Sequence, residues 1–472
     1  MKRVIALTLV LFILSLGGLA AVTLWMCRAQ DRVDFANIVE RGDASVADGL
    51  HMTEYDLLAN RVLWTTEHEL GQEQRETTAA FSGKQIPYTG YGRQFSRFSL
   101  CLVAPGGAEV ESYLTQEIER TMEAQVQIHP ADFAEYYDLC LSGHGMELVT
   151  ALDVQEENGT AKFPLLRIPT EAEDSLNLVG EIRGGVLRYY AAGLVNMVNR
   201  FTPMDATVNG GTVVTAGFDP GVQAKQDWAP EGFGLWLVTG NTREEPELKI
   251  DLVYPLNIET QRVVKLVTDA DREKIFLFLA EDGELTLQVL RGDTFTLEQT
   301  VAMGQIGTQE TEETYWSGDD TVTVLRRAFE TVLVREGEDF YAVAVGKQLT
   351  VLRSGENGVE VLFSCRMPSL YVMPTAEGAS YSWEDEGAAP EGYFNSVNPA
   401  EVNWSCNFES MSMALKDGRL ALAWGDCALD DANVAVQIYS AQGLEYARFI
   451  RCGLYQRTAI QSGQQPALAW AE

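Results

Sequence analysis

The stretch Lys274–Val301 constrains the fold most, because its apolar side chains recur with a period of two rather than 3.6. Ile275–Ala280 is an unbroken apolar run, which suits a strand covered on both faces. Leu285, Leu287 and Val289 then alternate with Glu284, Thr286 and Gln288, so one face is buried and the other is wet. Between these strands Glu281-Asp282-Gly283 reads as a tight turn, since Asp and Gly tolerate the positive φ that two-residue hairpins require. Arg291-Gly292-Asp293 turns the chain again, and Phe295, Leu297 and Val301 resume the pattern. The stretch predicts a three-stranded meander.

The same grammar returns along most of the chain from Leu50 onward. Turn glycines at 283, 346 and 418 are spaced by 63 and 72 residues, with no substitution pattern carried from one unit to the next. Many short strands with turn signals every 8–12 residues predict an all-β fold. Sheets must protect their edges, and radial repetition of four-stranded blades does so at this length. The expected architecture is therefore an irregular β-propeller of about six or seven blades. The alternative is two tandem β-sandwich domains dividing near Asp174 or Gly221. The apolar tail Ala467–Trp470 is expected to pair with an N-terminal strand. A short helix is expected over Ala108–Glu119, and Pro374–Pro399 reads as a long irregular loop. No Trp is followed by Asp as at the end of WD40 blades, and the double glycines lack the even spacing of kelch repeats.

The N-terminus follows a different rule. Val4–Met26 is a run of 23 uncharged residues behind Lys2 and Arg3. A helix of that length reaches about 35 Å, enough to cross a bilayer. The two basic residues favour a cytoplasmic N-terminus, which places the rest outside the cytoplasm. The expected layout is a signal-anchor over 1–27, a linker over 28–49 and an extracytoplasmic domain over 50–472. The alternative is a cleaved signal peptide, for which Gly18-Leu19-Ala20 offers a small-x-small site.

Charge narrows the partners. Residues 1–30 hold three basic residues and no acidic one, leaving 32 basic against 68 acidic residues beyond them, a net of −36. Such a surface repels phosphate backbones, so nucleic acid is not an expected partner. Of seven cysteines, six follow Cys27. An even number in an oxidising compartment permits disulfides, but a chain of this size does not need them, and buried free thiols are the equal alternative. No Cys-x-x-Cys occurs.

The familiar catalytic patterns are missing. The four histidines all lie at or before His144, and His68-Glu69 is followed at position 72 by Gln72 rather than a second His. Both facts make surface or strand-edge histidines the expectation. No Gly-x-Ser-x-Gly elbow occurs, and the tightest acidic runs (Asp319-Asp320, Glu384-Asp385-Glu386, Asp430-Asp431) read as solvated turns.

Three motifs carry a chemical suggestion. Asp269, Asp271 and Glu273 offer carboxylates at alternate positions, as a calcium loop does at its start, although Lys274 stands where such a loop has Gly. Arg-Gly-Asp occurs at 41–43 and 291–293, which is adhesion chemistry on an exposed tip and ordinary turn chemistry otherwise. Trp316, Trp383 and Trp404 read as loop tryptophans able to line a binding face. No cofactor is expected. The function expected is a membrane-tethered, non-catalytic binding or scaffold module for a peptide, protein or glycan. The alternatives are a carbohydrate-active enzyme using Asp and Glu on one face, and an envelope structural or assembly protein.

Overall fold

A computed structural model describes residues 10, 12–22, 24, 35–58, 61–71, 77–81, 98–103, 135–142, 147–156, 159–169, 175–183, 186–194, 201–239, 249–317, 320–355, 358–375, 378–384, 394–397, 411–425, 434–452 and 466–471. These residues are mostly strand. They form nine antiparallel sheets of two to five strands, where six or seven four-stranded repeats were expected. The expected helix over Ala108–Glu119 lies outside the described residues.

The opening meander is present as read. Lys274–Glu281, Glu284–Arg291 and Leu297–Gln305 pair in order, and Arg262–Thr268 adds a fourth strand in front of them. Ile275–Ala280 is buried throughout, and Leu285, Leu287 and Val289 are buried while Thr286 and Gln288 are half-buried. At the turn Asp282 and Gly283 take φ of 51° and 81°, the mirror-image conformation that sequence pair was read to supply. Gly346 and Gly418 also have positive φ. Gly346 follows the second strand of its sheet, as Gly283 does, whereas Gly418 follows the first described strand of the C-terminal run. The 72-residue interval therefore does not measure the same repeat as the 63-residue one.

The chain divides into two compact units. One comprises 1–92, 333–355 and 360–472; the other comprises 93–332 and 356–359. The boundaries fall at neither Asp174 nor Gly221.

In the first unit the two ends of the chain exchange strands. Ala467–Trp470 pairs with the strand Leu50–Leu58, with Leu50 opposite Trp470 and Met52 opposite Leu468, as expected. Phe35–Gly42, inside the stretch read as a linker, instead forms the outer strand of the five-stranded C-terminal sheet, beside Gly443–Cys452. That strand escaped sequence reading because Ile38 is an extra residue between Asn37 and Val39, and the bulge breaks the alternation. The C-terminal sheet is covered on both faces. Val434, Val436, Ile438 and Tyr446 pack with Leu50 and Met52, while Ala435, Tyr439, Ala447 and Phe449 pack with Phe340, Phe363 and Cys365. Cys365 is a buried free thiol.

Two further expectations change here. His68 is not at a surface or an edge: it is 1% exposed, in a strand paired on both sides. Pro374–Pro399 is not one loop, because Gly378–Glu384 and Phe394–Val397 both pair with Ser369–Thr375. Tyr381 and Trp383 alternate with small or acidic residues there, a strand pattern. Among the described residues no helix is long and apolar enough to cross a membrane. Residues 12–22 are helical, with exposed apolar side chains such as Phe12, Leu14 and Leu19.

The second unit has its core between the sheets 201–255 and 262–305. Val213, Leu235 and Trp236 of the first meet Val263, Leu266, Ile275 and Leu277 of the second.

Candidate functional site

The strand Arg262–Thr268 carries an irregularity that positions one side chain. Val263 lies opposite Leu279 and Lys265 opposite Phe278, so Val264 is an extra residue. A regular strand would send Val263 and Lys265 to the same face. The bulge lets Val263 and Leu266 share the core and turns Lys265 away from it, half-buried, onto the wall of a cavity of about 400 Å³. Bulges re-aim side chains in this way beside functional sites.

The neighbouring strand comes close through a glycine. A Cβ on Gly217 would stand 2.6 Å from the carbonyl oxygen of Val263 and 2.7 Å from the Met204 methyl. Only glycine lets these backbones approach so closely. Phe218, the next residue, lines the cavity and is backed by an aromatic cluster. Its ring centroid lies 6.2 Å from Trp228 and 5.9 Å from Phe233, and Phe233 meets Trp236 edge-on at 5.8 Å. The loop behind is tied down by Arg262, whose Nη1 donates to the Ile258 carbonyl at 2.6 Å and whose Nη2 donates to the Val222 carbonyl at 2.9 Å. Burial lowers the pKa of that guanidinium.

The cavity joins an apolar wall to convergent charge. Met204, Phe218, Leu266 and Val332 supply the wall. Three carboxylates arrive from three elements: Asp205 from the strand Phe201–Val208, Asp219 just past Gly211–Phe218, and Glu330 between Asp320–Phe329 and Val332–Glu336. Glu330 is held by Gly307, whose N–H donates to its Oε2 at 3.1 Å. Lys265 makes no ion pair or hydrogen bond among the described residues. Polar and apolar surface thus share a strand-built wall, and the few groups able to orient a small ligand stand on it. Sequence reading passed over Lys265, and the one signal for it was the doublet Val263-Val264, which interrupts strict alternation.

The residues singled out in the sequence lie away from this cavity. Asp269 is buried, and its Oδ1 accepts from the N–H groups of Glu273 and Lys274 at 2.8 and 2.9 Å. The Asp271 carbonyl accepts from Asn209 Nδ2 at 3.2 Å, and the Glu273 carbonyl accepts from the Gly292 N–H at 2.6 Å. The segment is thus a closed turn, and among the described residues no three His, Cys, Asp or Glu side chains gather to hold a metal. Arg291 and Asp293 are exposed at the same end of the sheet and bond to each other. In the other copy Gly42 lies too close to the Glu445 carbonyl to carry a side chain, and Asp43 caps a short 3-10 helix through Ser45 N–H at 2.9 Å. Trp316 and Trp383 stand in strands, opposite Thr321 and Leu370, rather than in loops, and Trp404 lies outside the described residues. Trp383 alternates with Tyr381, and Trp316 follows Tyr315 directly; aromatic residues favour sheet.

No family model matches the sequence, and no curated protein matches it. Solved structures do resemble it. A prolyl endopeptidase is 11% identical, aligned over 74% of this chain and 56% of that one, with a TM-score of 0.25. TolB from Acinetobacter baumannii is 10% identical over 73% of this chain and 86% of its own, with a TM-score of 0.21. The WD40 domain of SCAP from fission yeast is 8% identical over 88% and 74%, with a TM-score of 0.20. This chain thus spans little more than half the length of the prolyl endopeptidase, and at these TM-scores none of the three superposes on it as a whole.

Proposed function

We propose that the chain is a membrane-tethered, extracytoplasmic β-propeller-like module that binds a peptide or glycan in the cavity at Lys265, without catalysis. The observation that carries the binding reading is the cavity itself. A bulge and a glycine shape it, an aromatic cluster backs it, and polar groups converge on it from separate strands. The tether rests on the uncharged run Val4–Met26 behind Lys2 and Arg3, and on the exposed apolar side chains of its described residues.

A thermal-shift screen of short peptides and oligosaccharides tests the binding reading, with Thr331→Trp as control. Thr331 is an exposed residue of the cavity rim, so an indole there blocks the mouth without entering the core. A ligand that raises the Tm of the native chain but not of the variant is expected. A screen in which every ligand acts equally on both would defeat the reading. Membrane fractionation and protease accessibility in intact cells lacking an outer membrane test the tether, and protection of residues 50–472 from external protease would defeat it.

One observation favours a second reading. Asp205, Asp219 and Glu330 share the cavity with Phe218 and Phe329, as acids and aromatics do in glycoside-cleaving sites. Hydrolysis of a chromogenic glycoside that is lost in Glu330→Gln would establish the enzyme in place of the binding module.

A further inference from the structure

We propose that the ligand of this cavity is a zwitterionic amino compound of about dipeptide size, its ammonium group facing the carboxylates and its carboxylate facing Lys265. The inference rests on reading the cavity as a ligand site, and it names the chemistry of the occupant. Both signs of charge line one open cavity, with Lys265 half-buried and Asp205 exposed at it. Neither Lys265 nor Asp205 makes an ion pair among the described residues. The bulge at Val264 keeps the amine on the cavity wall rather than in the core.

Other occupants fit less well. A phosphate or sulfate would answer Lys265 but face three carboxylates. A simple cation would answer the acids but face the amine. A neutral sugar would displace water from both without replacing its electrostatic partner, the uncompensated desolvation that disfavours binding. A molecule carrying an ammonium and a carboxylate answers both, and its body can lie on Met204, Phe218 and Leu266. The volume of about 400 Å³ sits at the lower end of the range for small-molecule sites, which suits a dipeptide.

The test is calorimetric titration of the full chain in detergent with alanyl-leucine, its N-acetyl derivative, its C-terminal amide and maltose. Alanyl-leucine is expected to bind, and blocking either end is expected to weaken binding at least tenfold. Lys265→Met should make the free acid and the amide bind alike. Asp205→Asn should narrow the preference for the free amine. Each variant is first checked for an unchanged thermal transition, and rising salt should weaken binding of the native chain. Equal affinity for all three peptide forms overturns the proposal. Saturable maltose binding without peptide binding also overturns it, yet leaves the cavity as a ligand site. Absence of any binding to folded native protein overturns both.

Discussion

Arg291 and Asp293 close on each other across Gly292, with Nε and Nη2 of the arginine 2.9 and 2.8 Å from Oδ1 and Oδ2 of the aspartate. The forked geometry matches guanidinium to carboxylate. Between them Gly292 is buried, and a Cβ there would stand 2.6 Å from the Arg272 carbonyl. The tripeptide therefore closes a hairpin, with its two charged ends bonded to each other.

That bond sets a titration. The hydrogen bond from Arg291 holds Asp293 down to about 2. Because the folded value lies below the unfolded one, the associated stability is present above about pH 4 and is lost as pH falls through about 2. Carboxylate NMR should find this low pKa, and Arg291→Ala should return it to about 4. A value near 4 in the native protein would show the pair open.

Gly217→Ala should destabilise the second unit by about 1–3 kcal/mol, the usual range for forcing extra atoms into a packed site. The added methyl meets the Val263 carbonyl and Met204, and Met204 can move aside more readily than the backbone can. Urea unfolding measures the loss. An unchanged midpoint would show that the two strands are not held at this spacing.

Asp269→Ala should cost about 1–3 kcal/mol, because two backbone N–H groups lose their shared acceptor. Asp269→Asn, which keeps an acceptor oxygen, should cost less. Millimolar calcium should leave the Tm of the native chain unchanged. A clear rise in calcium that is absent from Asp269→Asn would support the calcium-loop reading.

Burial pushes the Cys365 thiol up to about 12 and raises the fully buried Tyr439 hydroxyl as well, with the neighbouring thiol adding to the latter. Both groups hold their protons more tightly folded than unfolded. Their contribution is complete below about pH 8.5 and disappears as pH rises toward 12. Unfolding free energy should fall across that window, and less steeply in Cys365→Ala. At pH 8 a thiol reagent should spare Cys365 until the protein unfolds.

How far the sequence could be read depends on regularity. The meander was legible because Leu285, Leu287 and Val289 alternate without interruption and Asp282-Gly283 supplies the turn conformation. The strand Phe35–Gly42 was not, because the extra Ile38 shifts its second half to the opposite face. The same physics hid Lys265, since an amine in an alternating strand reads as solvent-facing and Val264 alone marks the bulge. The carboxylates were present but unselectable among 68 acidic residues, because Glu330 lies more than a hundred residues from the hairpin that brings Asp205 and Asp219 to the same cavity. Trp316 and Trp383 were misplaced for the converse reason, as polar neighbours masked their strand register.

The exchange of terminal strands imposes an order in time. The sheet begun by Leu50–Leu58 lacks its outer strand until Ala467–Trp470 has been made, and Phe35–Gly42 waits as long for Gly443–Cys452. Residues 93–332, which form most of the other unit, are synthesised in between. An early strand therefore keeps an unpaired edge through nearly the whole of synthesis, a condition that invites wrong partners. Residues 467–471 are the clasp. Trp470 Nε1 donates to the Ala414 carbonyl, and Ala471 N–H donates to the Gly49 carbonyl. A chain cut short before Ala467 would leave the sheet of Leu50–Leu58 without that outer strand.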